Sequence, residues 1–259
     1  RKIPVIHPSA VIDATAIIGK DVTVGPWTTI GPDVEIGDGC NIASHVVIRG
    51  PTVIGRGNTI YQFSSVGEDT PDLKYKGEPT RLVIGDNNTI REGVTIHRGT
   101  IQDNGETRIG SDNLLMAYVH VGHDCIIGNH VVMTNNAAVA GHVVVGDWSI
   151  LSGFAMIHQY VSLGAHCFIG PAAFVYHDVP ACVTVSGSPA EPRTINREGL
   201  KRRNFSSEQI AMANKAYKIL YRRGLRLEEA ISAIAELGND PMITMFVDSV
   251  ERSTRGIIR

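Results

Sequence analysis

Histidines are the residues best suited to chemistry in this 259-residue sequence, and the chain contains ten of them. His123 follows His120 by three residues, and His142 and His158 lie further along the chain. A neutral imidazole suits general-base catalysis, because its reference pKa of about 6.5 lies close to neutral pH. No G-x-S-x-G nucleophile elbow, P-loop or dinucleotide-binding fingerprint accompanies them. This combination favours direct transfer, in which a histidine deprotonates a hydroxyl group that attacks an activated acyl group.

A six-residue repeat must position these histidines. An aliphatic residue recurs at every sixth position from Ile6 to Val66, and the same phase resumes at Ile84. After a slip of one residue, the repeat runs from Ile109 to Val175, with methionine once in the slot. A period of six fits neither an α-helix nor an alternating strand, but it fits very short strands separated by turns. Three such strands predict a triangular coil of about 18 residues, and stacked coils predict a parallel β-helix.

The coil length predicts which residues of successive coils are neighbours. A step of 18 residues stacks Asp124 on His142 and Ala140 on His158, with His123 beside that column. Because the inward positions are aliphatic, we expect the histidines to form a strip along one outer edge of the prism.

Two polar, glycine-containing segments interrupt the repeat, near residues 68–82 and 99–108. Insertions in solenoid proteins map to loops on one face, which is often the binding face. We therefore expect both loops to lie beside the histidine strip.

A helical pattern follows the repeat. Ser206 and Gln209 have the spacing of a capping box, and apolar residues then recur at helical spacing until Gly224. The sequence predicts a β-helix domain over residues 1–190 and a small helical domain over residues 191–259.

Charge is divided unevenly between these two regions. Residues 1–190 carry 11 Lys and Arg against 17 Asp and Glu, a net charge of −6. Residues 191–259 carry 13 against nine, a net charge of +4. The basic tail suggests an acidic or phosphate-bearing partner, whereas the simpler interpretation is a solvated helix face.

Composition excludes several classes of protein. Hydrophobic residues make up 43% and charged residues 19%, which is typical of a folded protein and not of a disordered one. The sequence has no apolar run of about 18 residues, and Arg1-Lys2-Ile3-Pro4 lacks the apolar core of a signal peptide. Four scattered cysteines without CxxC spacing predict reduced thiols, and together these features predict a cytoplasmic protein.

Eight segments of the sequence form an ordered set: IYQF at 60–63, DLKYKGEPT at 72–80, HRGT at 97–100, SDNLLM at 111–116, HVGHDC at 120–125, AGHV at 140–143, EGLKRR at 198–203 and the terminal STRGIIR. Together they resemble one known family, the UDP-N-acetylglucosamine 3-O-acyltransferases, which catalyse the first step of lipid A biosynthesis. The similarity runs in order over nearly the whole chain and includes both insertions and the tail. The family fold implied is a left-handed parallel β-helix, and its hand comes from the resemblance, since crossover physics favours right-handed connections.

The resemblance implies roles for individual residues. His123 matches the general base, Asp124 the group that orients its imidazole, and Gly141 the backbone N–H that faces the developing oxyanion. No metal or redox cofactor is implied. The residues that match the substrate cleft are Asp72, Lys74, His97, His120, His142, His158 and Gln159. The residues that match contacts to the nucleotide are Asn196, Glu198, Arg202 and Arg203.

Substrates and assembly are also implied by the resemblance. The donor is an acyl carrier protein with a 3-hydroxyacyl thioester, and the acceptor is the 3-OH of UDP-N-acetylglucosamine. The family works as a homotrimer with active sites between prisms, and it needs neither nucleic acid nor a transmembrane segment. The carrier protein is acidic, so the basic tail fits as its docking site. Phe168 and Pro171 match the end of the acyl pocket. Some members have glycine where Pro171 stands, so we expect a shorter acyl chain here.

Three other interpretations remain open from the sequence. An N-acyltransferase that acts on a 3-amino sugar nucleotide would need the same base and similar contacts. A metal hydratase of the carbonic anhydrase type would use His120, His123 and His142 as ligands. A non-catalytic solenoid, such as an ice-binding protein, would show flat threonine ladders, which this sequence lacks.

Overall fold

Each six-residue repeat forms one very short strand, and the strands stack into three sheets of nine, eight and ten strands. In the computed structural model, which describes residues 5–259, all neighbouring strands are parallel except the last pair, β26 and β27. The three sheets are the faces of a left-handed parallel β-helix, so the predicted fold is confirmed. Residues 1–4, on which the prediction about a signal peptide falls, lie outside the described residues.

The strands and helices have the following bounds along the chain. The strands are β1 Val11–Ile12, β2 Ile17–Ile18, β3 Thr23–Val24, β4 Thr29–Ile30, β5 Val34–Ile36, β6 Asn41–Ile42, β7 Val47–Ile48, β8 Thr52–Ile54, β9 Thr59–Ile60, β10 Ser65–Glu68, β11 Arg81–Ile84, β12 Thr89–Ile90, β13 Thr95–His97, β14 Glu106–Ile109, β15 Leu114–Leu115, β16 His120–Val121, β17 Ile126–Ile127, β18 Val132–Met133, β19 Ala138–Val139, β20 Val144–Val145, β21 Ile150–Leu151, β22 Met156–Ile157, β23 Ser162–Leu163, β24 Phe168–Ile169, β25 Phe174–Val175, β26 Val183–Ser186 and β27 Glu191–Ile195. The helices are α1 Arg197–Arg202, α2 Ser207–Arg222, α3 Leu227–Ala235 and α4 Pro241–Glu251.

The aliphatic residue of each repeat fills the interior of the prism. Ile96, Val121 and Val139 stack in register on one sheet, and each is fully buried. Burial of one such side chain contributes about 1.5–3 kcal/mol. This repeated core holds the outward-facing residues of the same strands in a regular ladder.

Two segments leave the coil where the sequence has its insertions: residues 69–80 between β10 and β11, and residues 98–105 between β13 and β14. Strand β11 pairs in register with β8 and β14, and β10 pairs with β13 with one irregularity between Val66 and Glu68, so the prism continues beneath both loops. Buried Arg98 anchors the first loop, because its guanidinium donates to the carbonyls of Gly50 and Gly67 and pairs with Asp69.

Helices follow the last strand. The predicted capping box of Ser206 and Gln209 is confirmed at the start of α2. Helix α1 was not anticipated, because its six residues are too short to show a helical period. The division of the chain at residues 190 and 191 stays a prediction. Within residues 5–259, none of the helices combines the length and hydrophobicity needed to cross a membrane.

Candidate active site

His123 and Asp124 form a hydrogen-bonded pair at one corner of the prism, immediately after β16. The Nδ1–H of His123 donates to Oδ2 of Asp124 over 2.8 Å. The side chain of His123 is 17% exposed, whereas that of Asp124 is 1% exposed. Because the proton lies on Nδ1, the neutral ring has a free lone pair on Nε2. This arrangement is the one that a general base requires.

Asp124 is itself held rigidly by the second insertion. The backbone N–H of Thr100 donates to Oδ1 over 2.8 Å, and the Thr100 hydroxyl donates to Oδ2 over 2.7 Å. The backbone N–H of Asp124 donates to the hydroxyl of Thr107 over 2.8 Å. Burial raises the pKa of the Asp124 carboxyl, but hydrogen bonds from His123 and Thr100 outweigh it, so this pKa lies below its ordinary value. Asp124 is therefore a carboxylate near neutral pH.

Gly141 stacks one coil above His123, and its backbone lies against the imidazole ring. A Cβ at this position would lie 2.6 Å from Nε2 of His123, so a side chain here would displace the ring. The N–H of Gly141 donates to no acceptor within residues 5–259. A free N–H beside the free nitrogen of a base can stabilise a developing oxyanion.

His142 follows Gly141 and lies across from the first pair. The rings of His123 and His142 meet edge to face, with centroids 4.9 Å apart. Nε2 of His142 lies 3.8 Å from Oδ2 of Asp124, as the 18-residue stacking predicts for neighbouring coils. On the other side, Nδ1–H of His142 donates to Oδ2 of Asp103 over 2.9 Å. Asp103 was missed in the sequence, because its contact depends on the path of the insertion.

His97 and His120 extend the cluster along the adjacent sheet. Their ring centroids are 5.3 Å apart, and the hydroxyl of Thr95 lies 2.8 Å from Nδ1 of His120. Burial lowers the pKa of both imidazoles, and the proximity of His123 lowers each further. Both rings are therefore neutral near pH 7, and Nδ1 of His97 has no hydrogen-bond partner in the described chain.

An apolar groove of about 360 Å³ begins at His120 and runs along the same face. Its floor is the outward ladder of one sheet, in which His120, Ala138, Met156 and Phe174 pair in register. His158 and Gln159 also line this groove. The apolar members were missed in the sequence, although steps of 18 residues from His120 lead to each of them. The groove suits a hydrocarbon chain that ends at the histidine cluster.

Phe168 and Pro171 lie outside the residues that line this groove. Phe168 belongs to a different sheet, where it pairs with Ile150 and Thr184, and it is half-buried. Pro171 is exposed at the corner between β24 and β25. The structure of one chain therefore separates these two residues from the groove beside His120.

Asp72 and Lys74 lie in the first loop, between β10 and β11. Oδ1 of Asp72 accepts from the backbone N–H of Lys74 over 2.9 Å, while the Lys74 side chain is exposed. The side chain of Arg98 also donates to the hydroxyl of Tyr75 over 3.0 Å. The loop that carries Asp72 and Lys74 is thus attached to the residue next to His97.

The residues matched to nucleotide contacts lie at the start of the helical tail. Asn196 is buried and caps α1, since its Oδ1 accepts from Gly199 N–H and its Nδ2 donates to the carbonyl of His166. Glu198 and Arg202 are exposed, and Glu198 pairs with Lys201.

Arg203 is half-buried against the prism and differs from its exposed neighbours. Its guanidinium lies 5.3 Å from the ring centre of Trp148, and Nη1 donates to Nδ1 of His166 over 3.1 Å. Burial, assisted by the charge of Arg203, lowers the pKa of His166 to about 4. His166 is therefore a neutral acceptor that orients the guanidinium.

The described chain also contains a group of possible metal donors, namely His123, Asp124 and His142, with one ligand atom of each within 4.8 Å of the others. This group differs from the hydratase interpretation, because the carboxylate of Asp124 takes the place of His120. Both Nδ1 atoms and both carboxylate oxygens of the group are already hydrogen-bonded. Only two Nε2 atoms remain free, which is fewer than a catalytic zinc site uses.

Known proteins match this chain along its length. Residues 178–258 match the model of domain 2 of Udp N-acetylglucosamine O-acyltransferase, and residues 15–50 and 106–139 match the bacterial transferase hexapeptide repeat. The acyl-[acyl-carrier-protein]–UDP-N-acetylglucosamine O-acyltransferase of Stutzerimonas stutzeri (strain A1501) is 61% identical over 82% of each chain. The chain belongs to this acyltransferase family. The enzyme of the same name from Ectopseudomonas mendocina (strain ymp) is also 61% identical, over 78% of this chain and 79% of that one.

Solved structures of the family share the whole architecture. LpxA from Acinetobacter baumannii is 48% identical, covers 98% of this chain and 100% of its own, and superposes with a TM-score of 0.96. The UDP-N-acetylglucosamine acyltransferase of Arabidopsis is 35% identical, with 98% and 100% coverage and a TM-score of 0.85. The resemblance noted in the sequence is therefore confirmed at the level of family and fold.

Proposed function

We propose that this protein transfers a 3-hydroxyacyl chain from acyl carrier protein to the 3-OH of UDP-N-acetylglucosamine, the first step of lipid A biosynthesis. Family membership supports the reaction, and one observation in the structure supports the mechanism. The Nδ1–H of His123 is held by buried Asp124, which leaves Nε2 free to accept a proton.

The reaction needs only groups present at this corner and on the two substrates. Nε2 of His123 takes the proton of the sugar 3-OH, and the oxygen attacks the thioester carbonyl carbon. The negative charge then develops on the former carbonyl oxygen, where the N–H of Gly141 stabilises it. The C–S bond breaks, and the imidazolium of His123 returns its proton to the leaving thiolate. Asp124 stabilises the imidazolium between these two steps.

Binding of the substrates is divided between the loops, the groove and the tail. The acyl chain occupies the apolar groove beside His120, where His158 and Gln159 line the wall. Asp72, Lys74, His97 and His142 border the sugar. The sugar hydroxyls find hydrogen-bond partners among these side chains.

Arg203 is placed to bind the diphosphate, since one side of its guanidinium is fixed by His166 and the charged fork matches phosphate oxygens. Arg202 and Glu198 provide exposed groups nearby, whereas Asn196 acts by capping α1, the short helix that precedes Arg203. The net charge of +4 over residues 191–259 favours docking of an acidic carrier protein.

Assembly as a homotrimer is part of the proposal. Phe168 and Pro171 do not line the groove of their own chain, so in the proposed trimer they would meet the acyl chain from another subunit. The four cysteines are free and buried, which supports placement in the reducing cytoplasm.

The decisive experiment replaces His123 with alanine and measures consumption of 3-hydroxyacyl thioester on acyl carrier protein with UDP-N-acetylglucosamine. We expect turnover to fall by about 10² to 10⁴-fold, the usual contribution of a general base. The oligomer should remain intact by light scattering, because His123 packs outside the core. A variant within about threefold of the wild-type rate would exclude His123 as the base.

Two alternatives are tested by the same preparation. A 3-amino sugar nucleotide replaces the acceptor in the assay, and faster turnover with it would favour N-acylation. The donor group of His123, Asp124 and His142 keeps the hydratase alternative testable, and metal analysis of the purified protein decides it.

A further inference from the structure

The second insertion delivers a carboxylate to His142 from 39 residues away in the sequence. Oδ2 of Asp103 accepts from Nδ1–H of His142 over 2.9 Å. The His142 side chain is 8% exposed and that of Asp103 is 38% exposed, so the bond lies at the edge of the site. We infer that Asp103 is a positioning residue for catalysis, which sets the tautomer and orientation of His142. This inference rests on the proposed acyl transfer.

The loop holds Asp103 in place through its own hydrogen bonds. The backbone N–H groups of Asp103 and Gly105 both donate to the carbonyl of Thr100, over 3.3 and 3.0 Å. Thr100 in turn donates twice to buried Asp124. Hydrogen bonds through Thr100 therefore fix the backbone of Asp103 relative to Asp124.

Three further groups surround the His142 ring, but its Nε2 has no hydrogen-bond partner among residues 5–259. The ring stacks on Tyr160 with centroids 4.3 Å apart and an interplanar angle of 7°. His123 meets it edge to face, and Oδ2 of Asp124 lies 3.8 Å from Nε2. The charged and titratable groups that face the ring are therefore Asp103, Asp124, His123 and Tyr160.

Asp103 decides which nitrogen of His142 faces the substrates. With the proton on Nδ1 directed at the carboxylate, the neutral ring presents Nε2 as a hydrogen-bond acceptor beside the base. A sugar hydroxyl can donate to this nitrogen while His123 removes the proton of the neighbouring 3-OH. Without Asp103, the proton can lie on either nitrogen, and part of the population presents a donor at this point.

The kinetic test uses Asp103→Ala, the conservative Asp103→Asn, and Asn104→Ala as a matched control on the same exposed turn. We expect Asp103→Ala to lower kcat/KM about tenfold, the size expected for one hydrogen bond to a charged group. The Asn variant should recover part of the loss, because its amide oxygen can still accept from Nδ1–H. Asn104→Ala should keep the wild-type rate.

A double-mutant cycle separates positioning of His142 from a general effect on the loop. In a His142→Gln background, Asp103→Ala should lower the rate further by less than twofold, because the group it positions is already gone. An undiminished tenfold loss in that background would overturn the inference.

The tautomer of His142 is measured without any substrate. This experiment therefore tests the role of Asp103 even where the proposed acyl transfer is wrong. Protein labelled with ¹⁵N-histidine is examined by long-range ¹H–¹⁵N correlation spectra, and His142→Gln identifies the signals of His142. The wild type should carry its proton on Nδ1, and Asp103→Ala should shift both ring nitrogens. A proton on Nε2 in the wild type, or unchanged signals in Asp103→Ala, would refute the role of Asp103.

Discussion

Replacing Asp124 with asparagine gives a sharp test of the proposed catalytic pair, because the change removes one acceptor with almost no change in shape. The carboxylate accepts three hydrogen bonds, one from the backbone N–H of Thr100 at Oδ1 and two at Oδ2 from Thr100 Oγ and His123 Nδ1. Asparagine can keep the first bond through its oxygen. Its NH₂ group then faces His123, donates to Nδ1 and moves the ring proton to Nε2. That tautomer cannot accept the substrate proton.

The size of the effect follows from the loss of the base and of its counter-charge. We expect kcat to fall by about 10² to 10⁴-fold, since both general-base catalysis and stabilisation of the imidazolium are lost. Raising the pH should not restore the rate, because the defect is the position of the proton and not the protonation of the ring. The assay is thioester consumption under saturating substrates, measured from pH 6 to pH 9.

Asp178→Asn is the matched control for this prediction. Asp178 is another buried carboxylate, which accepts from Ser162 N–H and Ser253 Oγ, each over 2.7 Å, at the junction of the prism and the tail. Both substitutions should lower the free energy of unfolding to a similar degree, because each disrupts hydrogen bonds to a buried carboxylate. Only Asp124→Asn should also lower turnover by about 10² to 10⁴-fold. Turnover within threefold of the wild type in Asp124→Asn would refute the orientation argument.

Two further predictions concern the length of the donor chain and the buried histidine that contacts Arg203. Pro171→Gly should shift the preferred donor to longer 3-hydroxyacyl chains in a rate series across chain lengths, and an unchanged length profile in an active variant would contradict this. Unfolded histidine has a pKa of about 6.5, whereas burial lowers the pKa of His166 to about 4 in the folded protein. Between pH 7 and pH 5 the unfolded state therefore binds a proton that the folded state does not, and the free energy of unfolding of the wild type should fall by about 2 kcal/mol. His166→Gln lacks this group and should not show that loss. Urea unfolding at both pH values measures this, and parallel losses in the two proteins would contradict the burial of a neutral His166.

The architecture could be predicted because the residue types repeat with the same period as the strands. An aliphatic residue at every sixth position leaves few folds other than a solenoid of short strands. The same arithmetic predicted that Asp124 and His142 stack, and their closest polar atoms are 3.8 Å apart. The period does not indicate the hand of the β-helix, which was predicted from the family resemblance.

The apolar groove shows a limit of reasoning from residue types. Ala138, Met156 and Phe174 follow His120 at steps of 18 residues, so their stacking was available from the sequence. They were missed because such side chains are found in most protein surfaces and cores, and nothing in their type indicates chemistry. Asn196 shows the converse, since a polar residue matched to a ligand contact has both ends of its amide occupied within the chain.

Insertions are harder to anticipate, because the repeat determines where they leave the prism but not the path they follow. The contact of Asp103 with His142 spans 39 residues, and no periodicity connects the two positions. Loop conformation depends on local hydrogen bonds such as those from Asp103 and Gly105 to the Thr100 carbonyl, which only the structure reveals.

A histidine at a prism corner is not by itself a catalytic arrangement, and another corner of this protein demonstrates the difference. There His130 stacks on Trp148 with ring centroids 4.0 Å apart, in the same left-handed conformation that His142 adopts. The carboxylate of Asp112, one coil below, is 3.9 Å from His130, too distant for a hydrogen bond that would select a tautomer.

At the candidate active corner, the second insertion changes the chemistry of an otherwise similar stack. Thr100 holds Asp124 as a carboxylate aimed at His123, and Asp103 orients His142 from the opposite side. Each histidine thereby has its Nδ1–H bonded to a carboxylate, and its Nε2 has no hydrogen-bond partner among the described residues. The repeat sets the spacing of the two rings. The second insertion provides Thr100 and Asp103, which hold the hydrogen-bond partners of the two Nδ1 atoms in place. Replacing residues 99–105 by a regular turn would therefore remove the Thr100 bonds to Asp124 and the Asp103 bond to His142, while the two stacked histidines would remain.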